Sequence, residues 1–336
     1  MKHGKRILAF FLAAMLLACL TGCQGSGGGG EVKWDLSMAV NGTDTQIDSQ
    51  VANYFAELVA EQSGGTIVIN VFPNDTLAGG NATKGIEYVA VGGTDLGAYA
   101  TSVLAGLEPK ISVATIPWAL TSYEQARQVI DTTGGAYYAQ LLEAKGITYL
   151  GSFHNGFRQL TNRKRPVTKP EDLNGLKLRV PGSAVYMDFF NALGANPTAM
   201  SWSEVFTSIQ QGTIDGQENG CSITKSAKMD EVQKYMTIWN YSYENDLFVA
   251  NTKIWESLDD ETKQILQECA TEACEWGRDK LEADEEDLIQ GFRDSGMQVD
   301  VLTEEQLAAF QEVVAPTLAK FKDSYGTEAC AAFGIE

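Results

Sequence analysis

The sequence predicts an α/β protein of two lobes, and three observations carry this prediction. Strand-like and helix-like segments alternate through the first 100 residues, a pattern typical of mainly parallel sheets with covering helices. The same alternation returns after about residue 155. The chain beyond its first 22 residues has 314 residues (336 minus 22), which exceeds the size at which one hydrophobic core usually keeps growing.

The first 22 residues are predicted to be a signal peptide. Three cationic residues precede an apolar run over 7–20, which is too short to cross a hydrocarbon core of ~30 Å as a helix. The run ends in LTGC (20–23), which resembles a bacterial lipobox. That resemblance implies cleavage before Cys23 and attachment of lipid to Cys23, so that residues 23–31 form a lipidated, Gly-rich tether to the membrane.

The mature chain is strongly acidic. All 44 acidic residues lie after residue 22, against 22 basic ones (25 minus the three near the N-terminus), so the net charge is about −22. A surface of this charge repels nucleic acid phosphates, which argues against nucleic acid as a partner. It also repels anionic small molecules at long range, so an anion site must be made locally by a buried cation.

Residues that could ligate metal or carry out catalysis are few. His154 is the single mature histidine, and no CxxC spacing occurs among the cysteines after Cys23, which are Cys221, Cys269, Cys274 and Cys330. A zinc site needs about four closely spaced nitrogen or sulfur ligands, so no metal and no cofactor are predicted. The cysteines are expected to be buried free thiols. The alternative is that two of them form one disulfide in an oxidising compartment. No GxSxG motif occurs, and paired carboxylates lie in helical charge runs such as 283–288, so an enzyme is not predicted.

The first lobe is predicted from three strands and two helices. In the opening strand Trp34, Leu36 and Met38 alternate with other residues, as on a strand with one apolar face. Gly64-Gly65 ends the first helix and Gly92-Gly93 ends the second. The predicted strands are 32–40, 66–72 and 95–100, and the predicted helices are 49–62 and 82–91.

The second lobe repeats this order of elements. Ser201 and Glu204 form a capping-box pattern ahead of a helix, and Gly212 stands at the C′ position of that helix. Ser183 is predicted to cap the preceding helix. The predicted strands are 176–180, 195–200 and 213–219, and the predicted helices are 183–193, 201–211, a long pair within 254–292, and 304–326.

Arg179 is the strongest candidate for the buried cation. In LKLRVPGS (176–183) a Pro-Gly pair ends the strand, so Arg179 lies near its carboxyl end, on the face opposite Leu178 and Val180. Ligands of open α/β sheets bind outside the carboxyl ends of the strands, and a planar guanidinium matches a carboxylate with two parallel hydrogen bonds. The alternative is a structural arginine that pairs with a surface carboxylate.

Longer motifs connect the chain with a known family. The segment LNGLKLRVPGSAVYMDFFNALGANPTAMSWSEVFTSIQQGTIDGQEN (173–219), supported by FRQLTNRKRPV (157–167) and MDEVQKYMTIWNY (229–241), resembles the solute-binding proteins of TRAP transporters, the DctP family. The resemblance covers essentially the whole mature chain. It implies a clamshell similar to periplasmic binding proteins, in which a long helix near the C-terminus spans both lobes.

The resemblance also implies how the lobes divide and what they do. Lobe I would comprise 32–155 and 245–284, and lobe II would comprise 156–244 and 285–336. The clamshell would close on a small organic carboxylate outside the cytoplasm and hand it to the small and large subunits of an ion-gradient-driven membrane permease. Neither covalent chemistry nor a cofactor would be involved.

Eight residues are candidates for contact with the ligand. By resemblance these include Arg179, Arg158, Asn219, Trp202, Tyr241 and Trp118. Asn41 and Tyr99, which follow or end strands of the first lobe, are expected on the opposite wall. Tyr241 stands where some relatives carry histidine, which leaves the identity of the acid open. Glu218, beside Asn219, is expected to hold a backbone group or an arginine in place.

Two other functions stay open on the sequence. The chain could be an organic-acid-binding protein that serves an ABC importer or a sensor kinase, because fold alone does not identify the partner. It could also be a lipid-anchored interaction protein without a small ligand.

Overall fold

The computed structural model describes residues 31–335. The predicted signal peptide, the predicted lipidation site Cys23 and all but the last residue of the predicted tether lie outside the described residues. Within 31–335, none of the helices combines the length and the apolar character that a membrane crossing requires.

The strands follow the alternation that the sequence predicts, and most predicted bounds agree within two residues. Five further strands, β4, β5, β9, β10 and β11 in the numbering that follows, join the predicted ones. In the described chain the strands are β1 Trp34–Val40, β2 Ile67–Phe72, β3 Leu96–Ala100, β4 Ile147–Phe157, β5 Gln159–Asn162, β6 Lys177–Val180, β7 Asn196–Ala199, β8 Gly216–Asn219, β9 Tyr235–Ile238, β10 Tyr243–Asn251 and β11 Gln298–Val301.

The helices cover the sheets and connect their strands. They are α1 Ile47–Gln62, α2 Ala82–Val91, α3 Thr101–Leu104, α4 Tyr123–Val129, α5 Gly135–Glu143, α6 Ala184–Ala192, α7 Val205–Gln211, α8 Cys221–Ser226, α9 Thr252–Ser257, α10 Asp260–Asp294 and α11 Glu304–Ala332. A π-helical turn, Ile130–Gly134, joins α4 to α5. Short 3-10 turns occur at Thr76–Ala78, Pro109–Thr115, Pro170–Leu173, Trp202–Glu204 and Met229–Glu231.

The strands form two sheets, which define the two lobes. The sheet of lobe I has the order β2-β1-β3-β10-β4, and that of lobe II has the order β11-β9-β5-β8-β6-β7. Both sheets are mixed. The antiparallel pairs all involve β5 or β10, the strands that the chain enters as it crosses between lobes. The remaining pairs are parallel, as the alternating pattern predicted.

The chain joins the lobes at three places. It passes from β4 into β5 through Arg158 and from β9 into β10 through residues 239–242. Helix α10 packs on α1 and β4 in lobe I and on α8 and β11 in lobe II. The predicted helix that spans both lobes is thereby confirmed, and we propose that the lobes divide at the two strand crossings.

Helix α10 is one continuous helix of 35 residues preceded by the six-residue α9, so the region holds a short and a long helix where a pair of long helices was predicted. Gly277 lies inside α10, where a glycine usually weakens a helix. A Cβ at this position would lie 2.4 Å from Cγ2 of Val51 on α1. The absent side chain therefore lets α10 pack closely against α1, and this contact offsets the poor helix propensity of glycine.

Two predicted helix caps are absent. The side chains of Ser183 and Ser201 make no capping hydrogen bond. After Ser201 the chain first makes the 3-10 turn, in which the Glu204 N–H donates to the Ser201 carbonyl at 3.2 Å, so α7 begins only at Val205. Gly212 ends α7 with φ of 77°, as predicted.

An aromatic layer backs the junction between the lobes. Tyr241 stacks on Phe189 of α6 with 4.8 Å between ring centroids, and Trp239 packs beside both. Phe310 of α11 contacts Trp239 edge-on at 5.2 Å. The cysteines of the described chain are free and buried, as expected from the sequence: Cys221, Cys269, Cys274 and Cys330.

Replacement of Gly277 by alanine should destabilise the protein by about 1–3 kcal/mol, because overpacking against Val51 outweighs the gain in helix propensity. Gly291 on the same helix has no atom within 4 Å of an added Cβ. Gly291→Ala is therefore the matched control, and it should raise stability by about 0.5–1 kcal/mol. Urea denaturation of both variants measures the difference, and a stabilised Gly277→Ala protein would contradict the packing argument.

Candidate functional site

A cleft between the lobes brings together the polar ends of several strands. Its outer part is a cavity of 220 Å³ between the chain after β1, α2 and the turns that follow β6 and β7. Its inner part narrows to about 30 Å³. Polar side chains that line the inner part are Asn41, Gln46, Asp48, Ser102, Asn155, Arg158, Arg179, Asn219 and Glu244.

Arg179 lies in the cleft on the side of lobe II. Side chains alternate along β6, so Leu178 and Val180 enter the core while Arg179 faces the other way. It is 5% exposed, its Nε donates to the Met200 carbonyl at 2.9 Å, and its guanidinium lies 5.2 Å from the centroid of the Trp202 ring. Within residues 31–335 no carboxylate forms an ion pair with it.

The pKa of Arg179 reflects its burial without an ionic partner among residues 31–335. Burial lowers its pKa to about 10, although the Glu218 charge acts in the opposite direction. The guanidinium therefore stays charged at neutral pH. Its Nη groups remain available to donate to an anion in the cleft.

Arg158 lies at the crossing between β4 and β5, and two carboxylates hold it there. Its Nε donates to Oε2 of Glu218 at 2.5 Å and its Nη2 donates to Oε1 at 2.8 Å. Its Nη1 binds Glu244, and both carboxylates are fully buried. Burial would lower the pKa of Arg158, but the charges of Glu218 and Glu244 raise it well above the usual value.

The predicted second arginine is thus a clamp between the lobes. Glu218 lies on β8 of lobe II and Glu244 lies on β10 of lobe I. A guanidinium carries five N–H groups, and with the bond from Nη2 to the Glu218 carbonyl four of them are used. Arg158 has one N–H left to donate, whereas both Nη groups of Arg179 remain available to a ligand.

Asn219 and Trp202 complete the wall on lobe II. The Asn219 side chain accepts from the Gly220 N–H at 3.0 Å through its Oδ1, which leaves its Nδ2 to donate into the cleft. Trp202 presents its ring to Arg179. The structure therefore brings Arg179, Arg158, Asn219 and Trp202 together as predicted from the sequence.

The wall on lobe I consists of polar side chains that the sequence analysis mostly missed. Asn41, the predicted member, donates to Asp75 at 2.7 Å. Gln46 is 1% exposed and accepts from the Thr43 N–H, but its Nε2 has no partner in the described chain. Asp48 accepts from the Gly42 and Ser49 N–H groups at 2.7 and 2.8 Å.

Asn155 forms the back of this wall. Its Nδ2 donates to Asp246 at 3.1 Å, while its buried Oδ1 has no partner among residues 31–335. Gln46 and Asp48 lie after the carboxyl end of β1, the position at which ligands of such sheets bind. That rule, applied to β1 as well as β6, would have identified them.

Carboxyl groups beneath this wall are hard to ionise. Burial raises the pKa of Asp48 to about 7, and the Asp75 charge adds to the effect. Burial also raises the pKa of Asp75 to about 6 and that of Asp246 well above its usual range. Lobe I thus faces the cleft with acceptors rather than with free cations.

Three predicted contacts do not line the cleft. Tyr241 lies behind it, because its ring joins the aromatic layer and its hydroxyl donates to Glu218 at 2.5 Å. Tyr99 is buried because β3 is covered on both faces, and its hydroxyl lies beside Asp75. Trp118, with φ of 57°, packs edge-on against Phe189 at 5.7 Å and lines a separate groove along α11.

A hydrogen bond links the two lobes at the mouth of the cleft. The Ser203 hydroxyl on lobe II donates to the Gly80 carbonyl on lobe I at 3.1 Å. Ser203 is exposed and Gly80 is half-buried. This bond exists only while the lobes are close together.

Comparison with known proteins gives a consistent result. Residues 37–324 match the family described as bacterial extracellular solute-binding protein, family 7, or DctP. The 2,3-diketo-L-gulonate-binding periplasmic protein of Escherichia coli is 33% identical over 272 residues, which are 80% of this chain and 82% of that protein.

Solved structures resemble the whole fold. A TRAP periplasmic solute-binding protein of Ralstonia eutropha with bound (S)-2-acetolactate is 30% identical, with a TM-score of 0.85 over 89% of this chain and 97% of that one. Another from Sulfurospirillum deleyianum with bound succinate is 25% identical, with a TM-score of 0.85 over 90% and 99%.

The buried carboxyl of Asp75 should make stability depend on pH. Its pKa is raised from 3.8 to about 6 in the folded protein, so the folded state holds the proton more tightly than the unfolded state. Stability should therefore fall as pH rises from about 4 to about 7. Asp75→Asn cannot ionise, and at pH 8 it should be more stable than the wild type by about 3 kcal/mol.

Chemical denaturation at pH 4.5 and pH 8 measures this difference. The advantage of Asp75→Asn should shrink toward zero at the lower pH. Asp44→Asn removes an exposed carboxyl nearby and should change stability little at either pH. A stability advantage of Asp75→Asn that grows at low pH would contradict the predicted direction of the pH dependence.

Proposed function

Because this chain belongs to the DctP family of bacterial extracellular solute-binding proteins, we propose that it captures a small organic carboxylate in the inter-lobe cleft and delivers it to a TRAP membrane permease. The similar proteins named above bind diketogulonate, acetolactate and succinate, all of which are carboxylates. They support this class of ligand for the present chain.

The observation that carries the proposal is the unpaired guanidinium of Arg179. A cation 5% exposed loses most of its hydration, and such charges in proteins are normally compensated by a partner. Here both nearby carboxylates are engaged by Arg158. A ligand carboxylate that enters the cleft supplies the missing partner through two parallel hydrogen bonds.

Capture works by hinge closure. The strand crossings at Arg158 and at residues 239–242 are the points about which the lobes can rotate, and α10 connects both lobes across them. A ligand that touches Arg179 on one lobe and Gln46 or Asp48 on the other favours the closed state. The Ser203–Gly80 hydrogen bond adds to that preference.

Binding without chemical conversion is the activity that this site supports. His154 is buried away from the cleft lining, between the Tyr243 hydroxyl at 2.7 Å and Glu282 at 3.0 Å. Burial and the charges of Arg278 and Arg127 lower its pKa to about 2, so it is a neutral structural link rather than a general base. We therefore propose a receptor rather than an enzyme.

The family and the predicted signal peptide support a cellular setting for this function. The family acts outside the cytoplasm, and the named structures belong to TRAP systems, which favours a TRAP permease over an ABC importer or a sensor kinase as partner. Attachment through a lipidated Cys23, and delivery to small and large permease subunits, complete the proposal.

Replacement of Arg179 by alanine should weaken carboxylate binding by about 100-fold or more, because removal of one partner from a buried charge pair costs about 3–5 kcal/mol. Arg179→Lys should restore only part of the affinity, because lysine lacks the fork. Isothermal titration calorimetry against acids found in a melting-shift screen measures the change.

Arg293→Ala is the matched control, because it removes an exposed arginine from α10 and should leave affinity unchanged. The melting temperature of ligand-free Arg179→Ala should stay close to that of the wild type. Equal affinities in Arg179→Ala and the wild type would defeat the proposal.

Loss of the Ser203 hydroxyl should weaken binding slightly. One exposed neutral hydrogen bond is worth about 0.5–1.5 kcal/mol, so Ser203→Ala should bind about 2- to 10-fold more weakly, mainly through faster dissociation. Stopped-flow measurements separate the two rates. An unchanged dissociation rate would mean that this bond does not contribute to the closed state.

A further inference from the structure

The two walls of the cleft differ in charge, and this difference restricts the ligand. We infer that the captured acid is a monocarboxylate whose far end carries hydroxyl groups, rather than a dicarboxylate. The inference rests on the proposed function and refines it. It depends on the juxtaposition of Arg179 on lobe II with Asp48, Gln46 and Asn155 on lobe I.

The cationic charge available to a ligand is limited to one group. Of the two arginines that line the described cleft, Arg158 already binds Glu218 and Glu244, so this trio carries a net negative charge. Arg179 can chelate one carboxylate with its fork. A second carboxylate on the same ligand would find no unpaired cation on the lining.

The far end of the cleft would repel such a second charge. Asp48 and Glu244 both line it, and like charges brought together at a desolvated interface strongly disfavour binding. Asp48 is itself surrounded mainly by acids, with the charged groups around it being Asp75, Asp246, Glu244, Arg158 and Arg179. The charge of Arg158 is compensated by Glu218 and Glu244, and Arg179 is the partner of the first carboxylate of the ligand.

Hydroxyl groups suit the same wall. Asn155 Oδ1 is a buried acceptor without a partner, and Gln46 Nε2 is a buried donor without a partner among residues 31–335. Each carboxylate oxygen of Asp48 receives one backbone N–H and has capacity for a further donor. A hydroxyl group both donates and accepts, so two or three of them along a carbon chain would satisfy these atoms, whereas a purely apolar tail would leave them unpaired.

The test compares acids that differ only at the last carbon. D-galactonate with galactarate and D-erythronate with meso-tartrate are two such pairs, because the second member replaces a terminal hydroxymethyl group by a carboxylate. Butanoate, hexanoate and succinate have no hydroxyl groups. Calorimetry with the wild-type protein at pH 8 should show at least one hydroxylated monocarboxylate binding at least 100-fold more tightly than its dicarboxylate counterpart and the hydroxyl-free acids.

Tighter binding of galactarate, meso-tartrate or succinate would overturn the inference, and so would equal binding of an acid without hydroxyl groups. Either result leaves the proposed function intact. Failure of every acid in these pairs and in the wider carboxylate screen would defeat the proposed function itself. The two failures are therefore distinguishable.

A variant pair tests the responsible residue. Asp48→Asn should narrow the preference for the monocarboxylate over its dicarboxylate by about 10-fold at pH 8, because it removes the repelling charge. Asp44→Asn removes an equal charge from an exposed position and should leave the ratio unchanged. Melting curves verify folding of both variants, and if Asp48→Asn does not fold, the wild-type ratio alone decides. An unchanged ratio in folded Asp48→Asn would reject the role of Asp48.

Discussion

The clamp of Arg158 by Glu218 and Glu244 is the interaction on which the rest of the site depends. All three side chains are buried, and separation of one partner from such a group costs about 3–5 kcal/mol. Glu218 comes from lobe II and Glu244 from lobe I, so the clamp fastens the lobes at their pivot. It also engages both carboxylates, and within residues 31–335 neither forms an ion pair with Arg179, which supports the proposed capture of an anion there.

The fold delivers these groups by a simple rule. Parallel strands end at the same edge of a sheet, so residues after β1 in lobe I and at the ends of β6 and β8 in lobe II meet across the cleft. The aromatic layer around Tyr241 and Phe189 fills the space behind them. Because the mature chain has a net charge of about −22, the proposed binding of an anion in the cleft depends on the buried charge of Arg179.

Much of this arrangement is visible in the sequence. Alternation along 176–180 with the Pro-Gly stop placed Arg179 at the cleft, and the family motif placed Asn219 and Trp202 beside it. The helix and strand bounds follow from apolar periodicity and glycine stops. What could not be predicted depends on long-range contacts: the partners of Arg158 lie 60 and 86 residues away along the chain. Trp118 turns away from the cleft at a positive φ that no local pattern indicates, and the close packing of α10 on α1 at Gly277 and Val51 joins residues 226 positions apart.

The link made by His154 has a consequence for the conditions in which the receptor can work. An imidazole of ordinary pKa would take up a proton near pH 6.5. Its new charge would change the hydrogen bonds that join β4 to α10 whenever the surrounding pH fell below that value. Because burial and the charges of Arg278 and Arg127 hold the pKa of His154 far below that value, the ring stays neutral in mildly acid medium and the join between β4 and α10 keeps its hydrogen bonds to Tyr243 and Glu282.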